Sequence, residues 1–423
     1  MAHTLAEKIL LAHTEVDDLA PGDIVMTRVD VVMANDVSGP VAFRQMEKMG
    51  ARRVFDPEKV VMVADHFVPA KDARSAELQK RLKEWALDQG VAFYDQGRGG
   101  IEHTLLVEEG WVVPGDVIAG GDSHSCTYGA LGAFGSGMGS TDVAAALAFG
   151  EFWQPVPDTI RVHFTGHRSG FVSGKDLILA VIAEIGVAGA TNAVLEFVGE
   201  GASSLSIDER LAVANMAVEA GAEAGLFPAD DATRAYLSGR VERKWKELHS
   251  DEGAHFSREL TIELGSLEPL VAAPSSPGNV VPLAEAAGTH VEQVYIGNCA
   301  NGTITDLRQA AAVLRGRQVH PRSRAVIVPA TQRIYRQAAD EGLLDAFVEA
   351  GAMVSTPTCG ACFGGGMGVP AAGETAVTTT NRNFRGRMGS ADAEVYLANA
   401  YVAAAAAVAG ELIDPAELIE VPA

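Results

Sequence analysis

Cys359 and Cys362 lie one helical turn apart in "STPTCGACFGGG" (residues 355–366), directly after an apolar run, and the chain has only two other cysteines, Cys126 and Cys299. Several chemistries use such thiols. A redox pair accounts for the C-x-x-C alone, but it leaves Cys299 without a task and normally opens a helix in a much smaller domain. A closed four-thiol site, zinc or cluster, needs Cys126 as well, which lies beside "DSH" rather than in a ligand-like turn of its own. A buried cysteine acting as a small hydrophobe suits Cys126. The remaining reading is a three-thiolate set of Cys299, Cys359 and Cys362, with Cys299 in "GNCANG", a Gly/Asn turn able to present backbone N–H groups to sulfide. Four irons held by three thiolates leave one iron open, and an open iron polarises a substrate oxygen as a Lewis acid.

Other reactive side chains stand at the ends of apolar runs. "VVMVADH" reaches Asp65 and His66, "DVIAGGDSH" reaches Asp122, Ser123 and His124, "QVYIGNC" reaches Cys299, and "AMVSTPTC" reaches Cys359. Short Val/Ile-rich runs read as buried parallel strands, and open α/β sheets bind ligands beyond the carboxyl ends of their strands. Four groups of polar chemistry could therefore converge at sheet edges, although an Asp turn at a strand end is also a common structural feature. "RAVIVPATQRIYRQAADEGLLDAFVEAGAMVSTPTC" has the strand–helix–strand order of a βαβ unit. Breaks near "QPVPDT" (154–159) and "VAAPSSPGNVVP" (271–282) divide the chain into segments 1–157, 158–280 and 281–423.

Composition narrows the function. The 423 residues are 48% hydrophobic and 21% charged, as in globular proteins, with no run long enough to span a membrane. Thr4 and Glu7 form a capping box for a surface helix rather than an export signal, so a cytoplasmic, reducing compartment is expected. The net charge of −22 opposes nucleic acid, and anionic ligands must find a local arginine cluster such as "NRNFRGRMG" at 381–389. "GFVSGKD" (170–176) is one residue short of a phosphate loop, and "GSGMGS" (135–140) lacks the third glycine of a dinucleotide fingerprint.

"ADHFVPA", "GDSHSCTYGALGAFGSGMGSTDVA", "GNCANGTITDLR", "TCGACFGGGMG", "TTNRNFRGRMG" and "EVYLANAYVAAAAAVAG", in order and spread over about residues 1–420, resemble the large subunit of the two-subunit aconitase family. The resemblance implies an α/β fold of three α/β/α domains around a [4Fe-4S] cluster, with the swivel domain absent. It implies Cys299, Cys359 and Cys362 as cluster ligands, with one iron lacking a cysteine, and Cys126 at a position that is not a ligand. The implied reaction is removal and re-addition of water on a hydroxy-dicarboxylate, foremost 2- to 3-isopropylmalate in leucine biosynthesis. Homoaconitate, 2,3-dimethylmalate and maleate or citraconate are the alternatives.

By the same resemblance, His66 with Asp65 protonates the leaving hydroxyl, and His103, Asp122 and His124 form the second histidine–carboxylate group. Glu196, in "NAVLEFVGEG", stands for a glutamate near the iron-bound water. Ser123, Arg382 and Arg387 bind substrate carboxylates, for which guanidinium forks are suited. Asn301 and Asn381 line the cluster, and Arg385 is a solvated charge. The base that takes the carbon-bound proton is a serine of a separate small subunit carrying the swivel domain, an expected obligate partner. Arg98, Glu102, Thr303 and the "CFGGGMG" segment depart from the family pattern. An RNA-binding or iron-sensing relative is the rival from another class, and the acidic charge opposes it.

Overall fold

The computed structural model describes residues 2–168 and 170–421. Three sheets repeat one winding rule. In the first, five parallel strands run in the order Ala92–Tyr94, Val60–Val63, Val31–Asn35, Val117–Gly120, Phe134–Gly137. The chain starts in the middle, winds outward to one side and then to the other, so a crevice opens at the carboxyl end of Val31–Asn35. Asp36, Asp65–His66 and Asp122–His124 follow the three strands around that crevice. Val31–Asn35 and Val60–Val63 are buried at every position, which explains why they read as unbroken apolar runs.

The second sheet orders its parallel strands Ala224–Leu226, Ala193–Val198, Asp158–Thr165, Arg258–Glu263. The third has a parallel core in the order Glu394–Leu397, Thr375–Thr378, Gln293–Ile296, Arg324–Ile327, Met353–Val354. Its crevice opens beyond Gln293–Ile296, where Cys299 follows. Between Arg324–Ile327 and Met353–Val354 the crossover is two helices, Gln332–Asp340 and Leu343–Glu349, broken at Gly342 with φ +68.

The stretch 271–282, read as a boundary with the last segment starting at 281, contributes a pair of short strands to this third sheet. Leu270–Ala272 pairs antiparallel with Val280–Pro282, and Ala272 bridges Leu397. The Pro/Ser/Gly composition marks the turn of that pair. The N-terminal capping box is present, with Thr4 N donating to Glu7 Oε2 at 2.8 Å, but the helix Leu5–Ala12 is not a surface helix. Leu5, Ile9 and Leu10 are buried in the first core because they share one helical face.

Packing then joins the layers. One core combines Met33, Val61, Leu106 and Ile118 of the first layer with Leu177, Leu195 and Phe197 of the second. Phe197 stacks between Phe164 and Phe227, and each such burial stabilises the fold by about 2–3 kcal/mol. The first and third layers meet through Ile101 N donating to Ala330 O (2.7 Å) and Gln332 N donating to Gly99 O (2.9 Å). Gly100 between them is indispensable to the approach, since a Cβ there would stand 2.5 Å from Thr331 Cα. Among the described residues no helix is long and apolar enough to cross a membrane.

Candidate active site

The carboxyl ends of the first and third sheets face each other. Cys359 N donates to Asp65 O (2.9 Å), Gly360 N to His66 O (3.2 Å), and Thr358 Oγ1 to Asp65 O (3.0 Å). These bonds lay the C-x-x-C turn directly against the Asp65–His66 turn. Asp36 shapes the latter by accepting from the backbone N–H groups of Asp65, His66 and Phe67.

His66 places Nδ1 2.6 Å from Asp65 Oδ1 and Nε2 3.5 Å from Asp122 Oδ2. Burial disfavours its charged form, but Asp65, Asp122 and Glu102 overcome that and hold the imidazole pKa well above its ordinary value. Asp122 gathers the other two histidines: His103 Nε2 lies 3.0 Å from its Oδ1, and His124 donates its backbone N–H to the same oxygen at 2.8 Å. Burial works against that carboxylate, yet the bonds from His103, His124 and His66 keep its pKa well below the usual range. His124 continues to Glu219, with Nε2 3.0 Å from Oε1, and Arg382 Nε donates to the same Glu219 oxygen at 2.5 Å. One hydrogen-bonded chain thus runs from Asp65 to Arg382.

Cys299, Cys359 and Cys362 meet beside it. Asn215 Nδ2 and Asn381 Nδ2 donate to Cys299 Sγ at 3.2 and 3.4 Å, and Cys362 Sγ lies 3.8 Å from Asn381 Oδ1. A hydrogen bond from Cys359 draws the Cys362 thiol down to about 5 against burial, with Arg387 and His124 nearby, while that shared bond and burial push Cys359 up. Burial raises Cys299 to about 12. Cys126 turns away and donates to Asn215 O at 3.3 Å. Three sulfurs from two loops, two of them buried against side-chain amides and Cys359 half-buried, suit a thiophilic metal group and leave it short of a fourth thiol.

The expected residues mostly converge. Asp65, His66, His103, Asp122, His124, Arg382, Asn381 and the three thiols share the crevice. Ser123 is exposed at its rim. Arg387 is half-buried with Nε unpaired among the described residues, near enough to Cys362 to lower its pKa. Asn301 lies in the Cys299 loop, but its amide nitrogen is turned to Asp306 at 2.9 Å. Arg385 is exposed on Asp392.

Glu196 does not join them. It stands opposite Arg161 in the parallel register of the second sheet, accepts from Arg161 Nη2 (3.3 Å) and Ser250 Oγ (2.6 Å), and is 1% exposed. A cross-strand cation satisfies it, which accounts for its burial. Glu219, by contrast, joins the crevice, bonded to His124 and Arg382. The available signal was the pair Asn215 and Glu219, two polar residues four apart in the apolar stretch "LAVANMAVEAG", which puts both on one helical face.

The departures also find places. Glu102 is fully buried: its backbone N–H donates to Asp65 Oδ2 (2.9 Å), and Asn35 Nδ2 donates to its Oε1 (3.0 Å). Burial, with Asp65 and Asp122 close by, pushes its carboxyl well above the usual range. Thr303 is a helix cap, closing a capping box with Asp306 at the start of Ile304–Leu314. Arg98 is exposed. In "CFGGGMG" the Phe363 ring lies 4.9 Å from the His66 ring and 5.5 Å from Phe67. Gly365 makes room for it, since a Cβ there would stand 2.0 Å from the Phe363 ring.

Comparison with known proteins identifies the family. Residues 7–410 match the model of the aconitase family (aconitate hydratase). The chain is 72% identical over 422 residues, covering all of both chains, to the 3-isopropylmalate dehydratase large subunit 2 of Rubrobacter xylanophilus. It is 52% identical to the 3-isopropylmalate dehydratase large subunit of Nitratidesulfovibrio vulgaris, over 99% of this chain and 100% of that one. Among solved structures, aconitase X of Thermococcus kodakaraensis in its holo form aligns with TM-score 0.48 and 15% identity, covering 89% of this chain and 88% of that one. A family match across nearly the whole length, together with full-length identity this high, establishes that the chain belongs to the aconitase family.

Proposed function

We propose that the chain is the large subunit of a hydro-lyase that interconverts 2- and 3-isopropylmalate by removing and re-adding water. The family implies an iron–sulfur cluster, and we infer a [4Fe-4S] cluster held by Cys299, Cys359 and Cys362. The observation that carries the reading is the bond from Cys359 N to Asp65 O, which sets the thiol cradle against the Asp65–His66 acid.

When bound, the cluster supplies a Lewis acid for the substrate hydroxyl and its neighbouring carboxylate. Hydroxide is a poor leaving group, so a proton donor must stand beside it. His66 suits that task because Asp65 and Asp122 favour its charged, proton-bearing form. Asp122 orients His103 and His124 and stays ionised, and Glu219 locks His124 to Arg382. Arg382 and Arg387 offer the cations that a dicarboxylate needs. Phe363 and Phe67 present apolar surface next to His66, matching a branched hydrocarbon arm. The carbon-bound proton falls to a serine of a small subunit that bears the swivel domain, in keeping with the "large subunit" names of the relatives. The four free cysteines fit a reducing cytoplasm.

The test is anaerobic co-expression with the small subunit, followed by assay of 2-isopropylmalate, homoaconitate, 2,3-dimethylmalate and maleate through absorbance of the unsaturated acid. Turnover strongest with isopropylmalate is expected. Intact iron and sulfide with no turnover of any of the four overturns the reading.

A further inference from the structure

Lys175, in the discarded phosphate motif "GFVSGKD", is buried to 0% exposure at the start of the helix Gly174–Ile185. Its Nζ donates to Thr380 O at 2.9 Å and lies 3.0 Å from Met216 Sδ, and these are its hydrogen-bond partners among the described residues. Neither is charged. An ammonium taken out of water without a counter-ion strongly destabilises a fold, so compensation must come from elsewhere.

The surroundings narrow the source. Burial pulls the Lys175 pKa down to about 8, and Asp306, Cys299, Cys362 and Asp176 act through space in the opposite direction. Asp176 is spent on the N–H groups of Ser173 and Leu270 and on Asn399. Asp306 is gripped by Thr303 and Asn301. Hydrogen bonds to the two carboxylates do not remove their charge, but the contacts of Nζ lead to the thiols. Thr380 precedes Asn381, and Met216 follows Asn215; those two asparagines are the donors to Cys299 Sγ. The ammonium therefore stands one residue behind both groups that hold the sulfur, on a helix of the second layer that reaches into the third.

We propose that Lys175 is the buried counter-ion of the thiolate cradle, a positioning residue that anchors the Thr380–Arg382 turn and whose charge is matched once Cys299 and Cys362 carry the cluster as thiolates. The inference rests on the iron–sulfur reading of the three cysteines. It gives the lysine opposite effects in the two states, destabilising the empty protein and retaining the cluster in the loaded one. A lysine that merely filled space would stabilise both.

The experiment compares wild type with Lys175→Met, which keeps the aliphatic stem, and Lys175→Gln, which keeps a donor for Thr380 O, in the full chain co-expressed with its small subunit. Two quantities are read: the thermal midpoint of the cluster-free protein, and the rate of iron loss to a chelator after anaerobic reconstitution. The expected result is a cluster-free midpoint equal to wild type or a few degrees higher, with iron loss about tenfold faster in both variants. A lowered cluster-free midpoint with iron loss at the wild-type rate overturns the proposal. So does recovery, by Lys175→Met, of cluster-free stability lost in Asp306→Asn, which would make Asp306 the counter-ion. Wild-type protein that binds no iron would overturn the cluster reading itself.

Discussion

A buried carboxylate persists only with a partner, and the identity of the partner decides what the carboxylate is for. Glu196 faces Arg161 across two strands, whereas Glu219 ties His124 to Arg382 in the crevice. Glu219→Gln should lower kcat by about 100-fold or more through misorientation of that histidine, with little change in thermal midpoint. Glu196→Gln should leave kcat/KM near wild type and reduce stability by about 1–3 kcal/mol in urea unfolding. The reverse pattern would restore Glu196 to the site. Glu108 carries a pH dependence of its own: burial pushes its carboxyl from 4.5 up to about 7, although the Thr331 hydroxyl and Arg333 act to lower it. Between those values the folded protein holds a proton that the unfolded chain has lost. Its contribution is therefore complete below about pH 4.5 and falls away by about 3 kcal/mol as pH rises through 7. Unfolding of Glu108→Gln from pH 4 to 8 should lack that slope and show a gain over wild type at pH 8.

At the scale of elements, strand ends and helix starts set the positions of the reactive groups. Strand ends were legible because the runs before Asp65, Asp122 and Cys299 are too short for helices and too apolar for surface. What followed each strand was not, since a turn or cap uses the same Asp, Thr and Asn that a ligand site uses. Thr303 illustrates this: beside the Cys299 loop it departs from the family pattern, and its hydroxyl is a helix cap. Thr303→Ala should cost about 1 kcal/mol of stability and leave the ranking of substrates unchanged, as measured by thermal unfolding and competitive turnover. A changed ranking with unchanged stability would return Thr303 to the pocket.

At the scale of the molecule, the site exists only because separately wound layers bring their carboxyl edges together. The seam at Gly100 tests that dependence. Gly100→Val inserts a side chain where even Cβ meets Thr331, prying the first layer from the third. The histidines belong to one layer and the cysteines to the other, so kcat should fall at least about tenfold from misplacement of the acid. Iron content per chain should be unchanged, because the cradle keeps its own walls. Loss of iron in parallel with activity would mean that the cradle itself depends on the seam.

Residue types and local periodicity pointed to the C-x-x-C, the DH and DSH turns, the arginine-rich tail and the parallel-strand character of the chain, and the resemblance of the motifs singled out the three thiols and the arginine pair. These depend on chemistry and spacing within a few residues, which a sequence displays directly. Tertiary structure alone decided which buried glutamate joins the crevice, that the stretch 271–282 contributes strands to the third sheet, and that Lys175 stands behind Cys299. Each of those depends on what lies across a strand register or a layer boundary, and the free energy of a buried charge or an extended segment is set by such neighbours however far along the chain they come.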